Sequence, residues 1–188
     1  MPTFYEGGAI EEVSQTLSEN EYTQAFYIGQ SVISPMHTKW VKTGICLSMA
    51  ILIISIIPLY KSYFITVWIP FCALAVAVLL AFYFFFIQPK DIKKWAAQIY
   101  CTSAFLSIPQ KIEIYRDSVI IKNEYEEILE YWTDFAKCVE TNSFFVLTGG
   151  RERDLLIITK NGMNATQIER ISKHFSNEFA LRYMKKKR

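Results

Sequence analysis

Carboxylates are the side chains in this sequence whose number and spacing first suggest chemistry. Five of them lie close together, at Glu124, Glu126, Glu127, Glu130 and Asp134. A glycosidase-type acid/base pair needs two carboxyl groups that face one cleft at a defined separation. The segment has the apolar–polar alternation of a strand, so we interpret the glutamates as the solvated face of a sheet. Asp134, in a Trp-Thr-Asp-Phe turn, is expected to cap nearby backbone amides.

A glycine pair followed by arginines, Gly149-Gly150-Arg151-Glu152-Arg153, is the second candidate. A phosphate-binding loop places its glycines just before a helix, whose N-terminal amides hold the phosphate. Here the glycines lie between two predicted strands, so a hairpin turn is favoured and phosphoinositide-type headgroup binding is the functional alternative. Together with the acidic strand, the loop forms the predicted partner-binding surface: Glu124, Glu126, Glu127, Glu130, Arg151 and Arg153.

Residues that usually support catalysis or metal binding are few. His37 precedes the first apolar segment, and His174 is next to Phe175 on a predicted helix, where a packing or surface role is expected. The four cysteines include no Cys-x-x-Cys pair, so neither a metal site nor a disulfide framework is predicted. We therefore expect no catalytic residue, no metal, no cofactor and no enzyme activity. The net charge of +2 gives no reason to expect nucleic-acid binding.

Two uncharged apolar segments organise the rest of the chain. Thr43 to Tyr60 has 18 residues and Tyr63 to Ile87 has 25, and each is long enough to cross a hydrocarbon core of about 30 Å. A helix is the form expected, because lipid offers the backbone no other hydrogen-bond partner. Only Lys61 and Ser62 separate the segments, which predicts a transmembrane hairpin with a very short turn.

Lysines flank this hairpin and predict its orientation. The turn contributes only Lys61, whereas five lysines lie on the other side of the predicted spans. The positive-inside rule then places both termini in the cytoplasm, in a cell-membrane protein with two spans. The five are expected to face the anionic headgroups of the bilayer: Lys39, Lys42, Lys90, Lys93 and Lys94.

Outside the hairpin the sequence predicts an α+β organisation. A short strand at Ile10 to Leu17 precedes a helix whose N-terminus has the capping-box residues Ser18 and Glu21. An amphipathic stem helix from Lys90 to about Phe105 follows the second span. We therefore divide the chain into an N-terminal strand and helix at 1–38, the hairpin at 39–88, the stem at 89–108 and a cytoplasmic domain at 109–188.

The cytoplasmic domain has the period of two that is typical of strands. Six short strands are predicted, at Lys111–Arg116, Val119–Lys122, Glu127–Tyr131, Ala136–Thr141, Ser143–Thr148 and Leu155–Thr159. Asn164 caps a closing helix, and an apolar stripe lies along it: Ile168, Ile171, Phe175, Phe179 and Tyr183. This pattern describes a small antiparallel sheet or barrel capped by a helix, like a pleckstrin-homology (PH) domain, and another α+β sandwich fits it too. Trp132 is expected to be buried, and the N-terminal strand is the candidate for a further edge strand.

This order of elements resembles the YcxB-like bacterial membrane proteins. The residues that carry the resemblance are Ser18-Glu19-Asn20-Glu21-Tyr22, Trp132-Thr133-Asp134-Phe135 and Val139-Glu140-Thr141. Where that family tends to have Ile-Pro-Lys, this chain has Ile158-Thr159-Lys160. The resemblance covers most of the chain. It implies a PH-like cytoplasmic domain on a two-span anchor in the bacterial inner membrane, and it implies no reaction.

These patterns favour a membrane protein that presents a cytoplasmic binding module to a protein partner. An immunity protein against a toxin and a regulatory subunit of a membrane complex both fit. The alternative is a lipid-headgroup-binding or transport-associated subunit. Transport by two spans without a buried charge would require a homo-oligomer.

Overall fold

A computed structural model describes residues 8–34, 39–63 and 68–186 and shows an α+β protein with two four-stranded sheets. Contacts between residues divide the chain into two units, one of residues 1–29 and 95–188 and the other of residues 30–94. In chain order the elements are β1 (Glu11–Gln15), α1 (Glu19–Ile33), α2 (Lys39–Tyr63), α3 (Trp68–Phe82), a π-helix (Tyr83–Ile87), α4 (Gln88–Thr102), α5 (Ala104–Ser107), β2 (Gln110–Ile114), β3 (Ser118–Lys122), β4 (Glu127–Tyr131), β5 (Lys137–Glu140), β6 (Phe144–Thr148), β7 (Leu155–Thr159), α6 (Ala165–Phe179), a 3-10 turn (Ala180–Arg182) and β8 (Tyr183–Lys185).

The two sheets of the first unit contain all six strands that the sequence predicts. The first sheet is antiparallel, in the order β1-β2-β3-β4. The second has the order β7-β6-β5-β8, in which β8 runs parallel to β5 and the other pairs are antiparallel. The N-terminal strand does complete a sheet edge, since Glu11 lies opposite Ile114 and Gln15 opposite Gln110. The unit therefore takes one strand from before the apolar helices and seven from after them.

The core is shared by both sheets and α6. Trp132 is 2% exposed, as predicted, and its indole N–H donates to the carbonyl of Tyr115 at 3.0 Å. Its ring centroid lies 5.2 Å from that of Phe175 in an edge-on contact. The other buried apolar side chains of the core come from inward-facing strand positions, from the helix stripe and, for Phe135, from the loop between β4 and β5: Val13, Ile112, Ile114, Val119, Ile121, Phe135, Cys138, Phe145, Leu147, Leu156, Ile158, Ile171 and Phe179.

The closing helix begins as predicted and ends earlier than predicted. Asn164 accepts from the Gln167 amide at 2.7 Å, and the Gln167 side chain accepts from the Asn164 amide at 3.1 Å, which is a complete capping box. At Ala180 the backbone turns to a φ of 42°, which stops the helix. Tyr183 therefore does not belong to the helix stripe, and that prediction is wrong. It lies in β8, opposite Cys138.

Helix α1 packs closely on the second sheet. Its predicted capping box is present, because the Glu21 amide donates to the Ser18 hydroxyl at 3.3 Å and the Ser18 amide donates to the Glu21 carboxylate at 3.0 Å. Ala25 is completely buried. One turn further along, a Cβ on Gly29 would lie 2.8 Å from Cδ1 of Leu155. Glycine at this position therefore allows the helix backbone to approach β7.

The second unit contains two long apolar helices. Residues Lys39–Ile56 and Cys72–Thr102 form helices that are long and apolar enough to cross a membrane, and the last eight residues of the second one, 95–102, belong to the first unit. The most apolar 18 residues of each helix have mean hydropathies of 1.6 and 2.2. Helix α2 continues through Lys61 and Ser62 to Tyr63, so the predicted turn at these two residues is wrong. Neither residue is a helix breaker, which is why the helix runs on. Residues 64–67 and His37 lie outside the described residues.

A π-helix between α3 and α4 explains the position of one flanking lysine. The Gln88 amide donates to Tyr83, five residues back, and Pro89 has no amide hydrogen to donate. The carbonyl of Phe84 is thus left without its usual helical donor, and Lys42 Nζ donates to it at 2.9 Å. Lys42 is 4% exposed, so the prediction that it faces lipid headgroups is wrong. The other four flanking lysines are exposed: Lys39, Lys90, Lys93 and Lys94.

The two sheets meet at β1 and β7 through the side chain of Gln15. Its Nε2 donates to the Ile157 carbonyl at 2.7 Å, and its Oε1 accepts from the Thr159 amide at 2.8 Å. A neighbouring strand would use these same two backbone groups. The buried Gln15 amide therefore takes the place of a strand along this part of the β7 edge.

Replacing Gln15 with leucine should lower the free energy of unfolding of the first unit by about 2–4 kcal/mol, because two buried backbone groups lose their partners. Gln15→Glu keeps the acceptor but places a buried carboxylate against the Ile157 carbonyl, so it should destabilise the unit at least as much as leucine does. Pulse thiol labelling of the buried Cys138 across a urea series, read by mass spectrometry on the full chain in detergent micelles, measures the change. Ser14→Ala, at the exposed neighbouring position, is the control. Equal stability of the Gln15→Leu variant and this control would contradict the role of Gln15.

Candidate interaction surface

The predicted acidic strand is not a single solvated face. Alternate residues of a strand point to opposite sides, so Glu127 and Glu130 on β4 face different ways. The Glu127 side chain is 59% exposed and pairs with Lys122 at 3.4 Å. Glu130 is only 1% exposed. The expectation of an exposed acidic face is therefore wrong at Glu130.

Glu130 anchors the loop between β6 and β7. Its Oε1 accepts from the amides of Glu152 and Arg153, both at 2.7 Å. Burial raises the pKa of Glu130, and the two amide hydrogen bonds act in the opposite direction. A Cβ on Gly150 would lie 2.3 Å from the Arg153 carbonyl and 2.9 Å from Glu130 Oε1. The glycine is thus required by the close fold of the loop around this carboxylate.

The same loop is tied to the turn between β3 and β4. The guanidinium of Arg153 forms an ion pair with the carboxylate of Glu126, and both side chains are largely buried. Arg151 and Glu124 remain exposed. The fold thus brings the two predicted segments together, and it uses Glu126, Glu130 and Arg153 to hold them.

Glu124 and Tyr125 are the exposed residues of a short turn that we call the tyrosine turn (Asn123, Glu124, Tyr125 and Glu126). The Asn123 side chain accepts from the amides of Tyr125 and Glu126, each at 2.8 Å, which fixes the backbone. Tyr125 is 70% exposed at its tip. Sequence reasoning missed Tyr125, and the available signal was an asparagine at the start of a turn between two strands.

An alternating ladder of charges crosses the outer face of the first sheet. Lys111 pairs with Glu12 at 2.8 Å and with Glu113 at 2.9 Å, and Glu113 also pairs with Lys122 at 3.1 Å. Lys122 then pairs with Glu127, as described above. The outer pairs, with Glu12 and Glu127, are exposed and add little stability, whereas Glu113 is largely buried between the two lysines. Glu127 thus belongs to a surface of mixed charge and not to an acidic patch.

A second polar cluster surrounds Glu140, which is 3% exposed. Lys160 Nζ donates to its carboxylate at 2.8 Å, Ser172 Oγ donates at 2.7 Å, and the Tyr183 hydroxyl also donates to it. Lys185 pairs with it at 3.1 Å. Burial opposes the charge on Glu140, but these donors outweigh it and lower its pKa to about 2. Serine, tyrosine and lysine thus converge on one carboxylate, and they fasten β8 to β5.

Two other predicted residues have packing or capping roles. Asp134 Oδ2 accepts from the Tyr131 amide at 3.4 Å, so the predicted cap is present. His174 lies edge-on to Trp132, with ring centroids 5.8 Å apart, and burial lowers its pKa. In residues 8–34, 39–63 and 68–186, no group of three or more His, Cys, Asp or Glu side chains is placed to hold a metal ion.

No protein-family model, curated protein or solved structure matches this chain. The resemblance to YcxB-like proteins therefore rests on the short motifs, and these have structural roles in the fold. Ser18 and Glu21 cap α1, Trp132 lies in the core, and Glu140 holds β8. The motif residues described here therefore have roles in folding, and they give no information about a ligand.

Low pH should reduce the free energy of unfolding of the first unit, because Glu140 becomes protonated. Its pKa is about 2 in the folded chain against 4.5 ordinarily, so it contributes stability above pH 4.5 that is lost as the pH falls toward 2. Glu140→Gln should lower the free energy of unfolding at neutral pH by about 3 kcal/mol, because Lys160 then keeps a buried charge without a counter-charge. It should also flatten the dependence of stability on pH over that range.

Urea titrations at a series of pH values, followed by near-ultraviolet circular dichroism of the buried aromatic cluster, measure both effects. Glu169→Gln removes an exposed carboxylate from α6 and is the matched control. An acid dependence that survives unchanged in the Glu140→Gln variant would show that other groups are responsible.

Proposed function

We propose that this chain is an integral membrane protein whose apolar helices span the bilayer as a hairpin. One observation carries the proposal: in the most apolar 18 residues of each helix, almost no residue is buried, 6% in Lys39–Ile56 and 0% in Cys72–Thr102. A soluble protein rarely exposes a continuous apolar surface of this size. A bilayer would remove from water the exposed side chains of Leu47, Ile51, Leu52, Ile54, Leu74, Val76, Val78, Leu79, Phe82 and Phe86.

The orientation we propose places both termini in the cytoplasm. Removing the buried Lys42 from the count leaves four exposed flanking lysines against Lys61. The excess of lysines on the side of the termini is therefore smaller, but it still favours cytoplasmic termini under the positive-inside rule. The bacterial inner membrane is the location that the YcxB-like resemblance implies.

We further propose that the first unit is a PH-like module that binds a protein partner. A four-stranded antiparallel meander, three more antiparallel strands and α6 on the shared core support this assignment. The tyrosine turn is the best-supported contact surface, because an exposed and rigidly presented tyrosine is a frequent interface anchor. Glu124 and Arg151 would supply its polar rim. Either a toxin or a subunit of a membrane complex fits such a surface.

The headgroup-binding alternative is less well supported at this loop. A phosphate would have to compete with the Glu126 carboxylate for Arg153, and only Arg151 is exposed. The Gly149–Gly150 segment joins two strands, so it supplies no helix N-terminus for an anion.

The membrane proposal predicts that alkaline carbonate extraction leaves the chain in the membrane fraction. Reporter fusions should give a cytoplasmic signal after Arg188 and an external signal after Tyr63. Leu79→Arg should reduce insertion, since an arginine near the centre of a span costs about 2.5–3.5 kcal/mol on insertion scales, and Leu79→Ile should not. Release by carbonate, or an external signal from the C-terminus, would refute the proposal.

The binding proposal predicts that Tyr125→Ala combined with Glu124→Lys weakens partner capture from native membranes roughly tenfold or more. Folding should be unaffected, because both side chains are exposed. Glu169→Lys on α6 makes the same charge change elsewhere and is the control. A photo-crosslinking amino acid at position 125 would identify the partner. Equal capture by the double variant and the control would show that the tyrosine turn does not contact the partner. Turnover of a substrate by the purified chain would refute a role in binding alone.

A further inference from the structure

The turn that follows α6 combines backbone strain with an exposed apolar side chain. Ala180 has φ 42° and ψ −109°, a region that residues other than glycine rarely occupy. The next residue, Leu181, is 101% exposed, the highest value of any large apolar side chain in the described ranges. We call Ala180, Leu181 and Arg182 the leucine turn. The strained turn lets β8 pair with β5, but the Leu181 side chain that it projects into water is not buried by the fold, and strain of this kind is concentrated at functional sites.

The leucine turn is held firmly on both sides. On one side, the Ala180 amide donates to the Ser176 carbonyl of α6. On the other, Arg182 Nη1 donates to the Phe135 carbonyl at 2.8 Å, and its guanidinium lies 5.4 Å from the centroid of the Phe179 ring. Arg182 thus links the turn to the core, and these contacts maintain the strained conformation of Ala180.

The chain from Leu181 onward is positively charged, and the exposed Glu178 lies three residues before this leucine. The sequence from Leu181 to Arg188 contains five basic residues and no acidic one. The partners of Arg182 are a carbonyl and an aromatic ring, both neutral, so its charge is retained. Lys185 shares the single carboxylate of Glu140 with Lys160, which leaves that cluster with one excess positive charge. The turn therefore presents an apolar tip next to a C-terminal segment, residues 182–188, with a net positive charge.

We propose that the leucine turn is a membrane-surface anchor, in which Leu181 enters the interface of an anionic bilayer and the basic residues contact its headgroups. An apolar side chain next to clustered basic residues is the combination that binds such interfaces. The inference rests on the proposed membrane hairpin, which would keep a bilayer at high effective concentration near the first unit. A protein partner would instead need an acidic surface with a pocket for one leucine, whereas a bilayer needs only an exposed apolar side chain beside the net positive charge of residues 181–188, and we therefore favour lipid.

An environment-sensitive fluorophore on Leu181→Cys tests this in the full chain. Cys46, Cys72 and Cys101 are replaced by alanine, and Cys138 is kept because it is completely buried. The matched control places the label at Thr166→Cys, an exposed position near the other end of α6 and roughly 20 Å away along the helix. Each protein is reconstituted into vesicles of phosphatidylcholine alone and of phosphatidylcholine with phosphatidylglycerol, and flotation reports incorporation separately.

The expected result is a shift of the emission to shorter wavelength at position 181, larger with phosphatidylglycerol and reversed by molar salt, which screens the headgroup charge. Position 166 should show no shift. Incorporated protein with no shift at 181, or with equal shifts at both positions, would overturn the anchor. A shift at 181 that appears only when a protein extract is added would also overturn it and assign the turn to a protein. Failure to float would refute the membrane hairpin itself, and the anchor with it.

Discussion

The two sheets share a core, but no strand of one is paired by backbone hydrogen bonds with a strand of the other. Backbone N–H and C=O groups where the sheets meet therefore need other hydrogen-bond partners, and two side chains supply them. Gln15 of the first sheet bonds to Ile157 and Thr159 on the edge of β7. Glu130, also of the first sheet, holds the amides of Glu152 and Arg153 in the loop before β7. An unpaired buried backbone group costs about 1–3 kcal/mol, more than an exposed ion pair contributes. The sandwich thus depends on these two polar residues more than on its surface charges.

This constraint explains why most of the residues whose types first suggested catalysis or binding stabilise the fold instead. Glu130 closes one junction of the sheets, Glu126 and Arg153 hold the adjoining turn, and Glu140 joins β8 to its neighbour. Polar groups buried in this way are poorly placed to meet a ligand. The contact residues that we propose are exposed ones on turns that the fold holds in place, Tyr125 at one turn and Leu181 at another. A rigid scaffold that displays a few exposed side chains on its turns is a common arrangement for binding.

The local elements were predictable from the sequence, and the long-range ones mostly were not. Strand β2 follows from the period of two, β7 follows from a short, fully apolar run, and the caps at Ser18 and Asn164 follow from short motifs. The burial of Glu130 could have been predicted, since a strand places Glu127 and Glu130 on opposite faces. The bond between Gln15 and β7 joins residues more than 140 positions apart, and no local pattern specifies it. The end of α6 was missed because the helical period extends to Tyr183, whereas the strained Ala180 depends on tertiary contacts.

Lys42 shows how one residue can be misread when its signal is purely statistical. Counted as a flanking charge, it supports an orientation in the membrane. In the structure Lys42 instead acts as a hydrogen-bond donor, and Pro89 explains why a donor is needed. Because Pro89 cannot donate and the Gln88 amide bonds five residues back, the Phe84 carbonyl needs a donor from another helix. Lys42 is that donor, at 2.9 Å. A charged side chain in an apolar helix is costly unless it is paired, and a carbonyl left open by a proline is a suitable partner. The lysine therefore fastens α2 to the π-helix after α3, and the orientation that we propose depends on the exposed lysines alone.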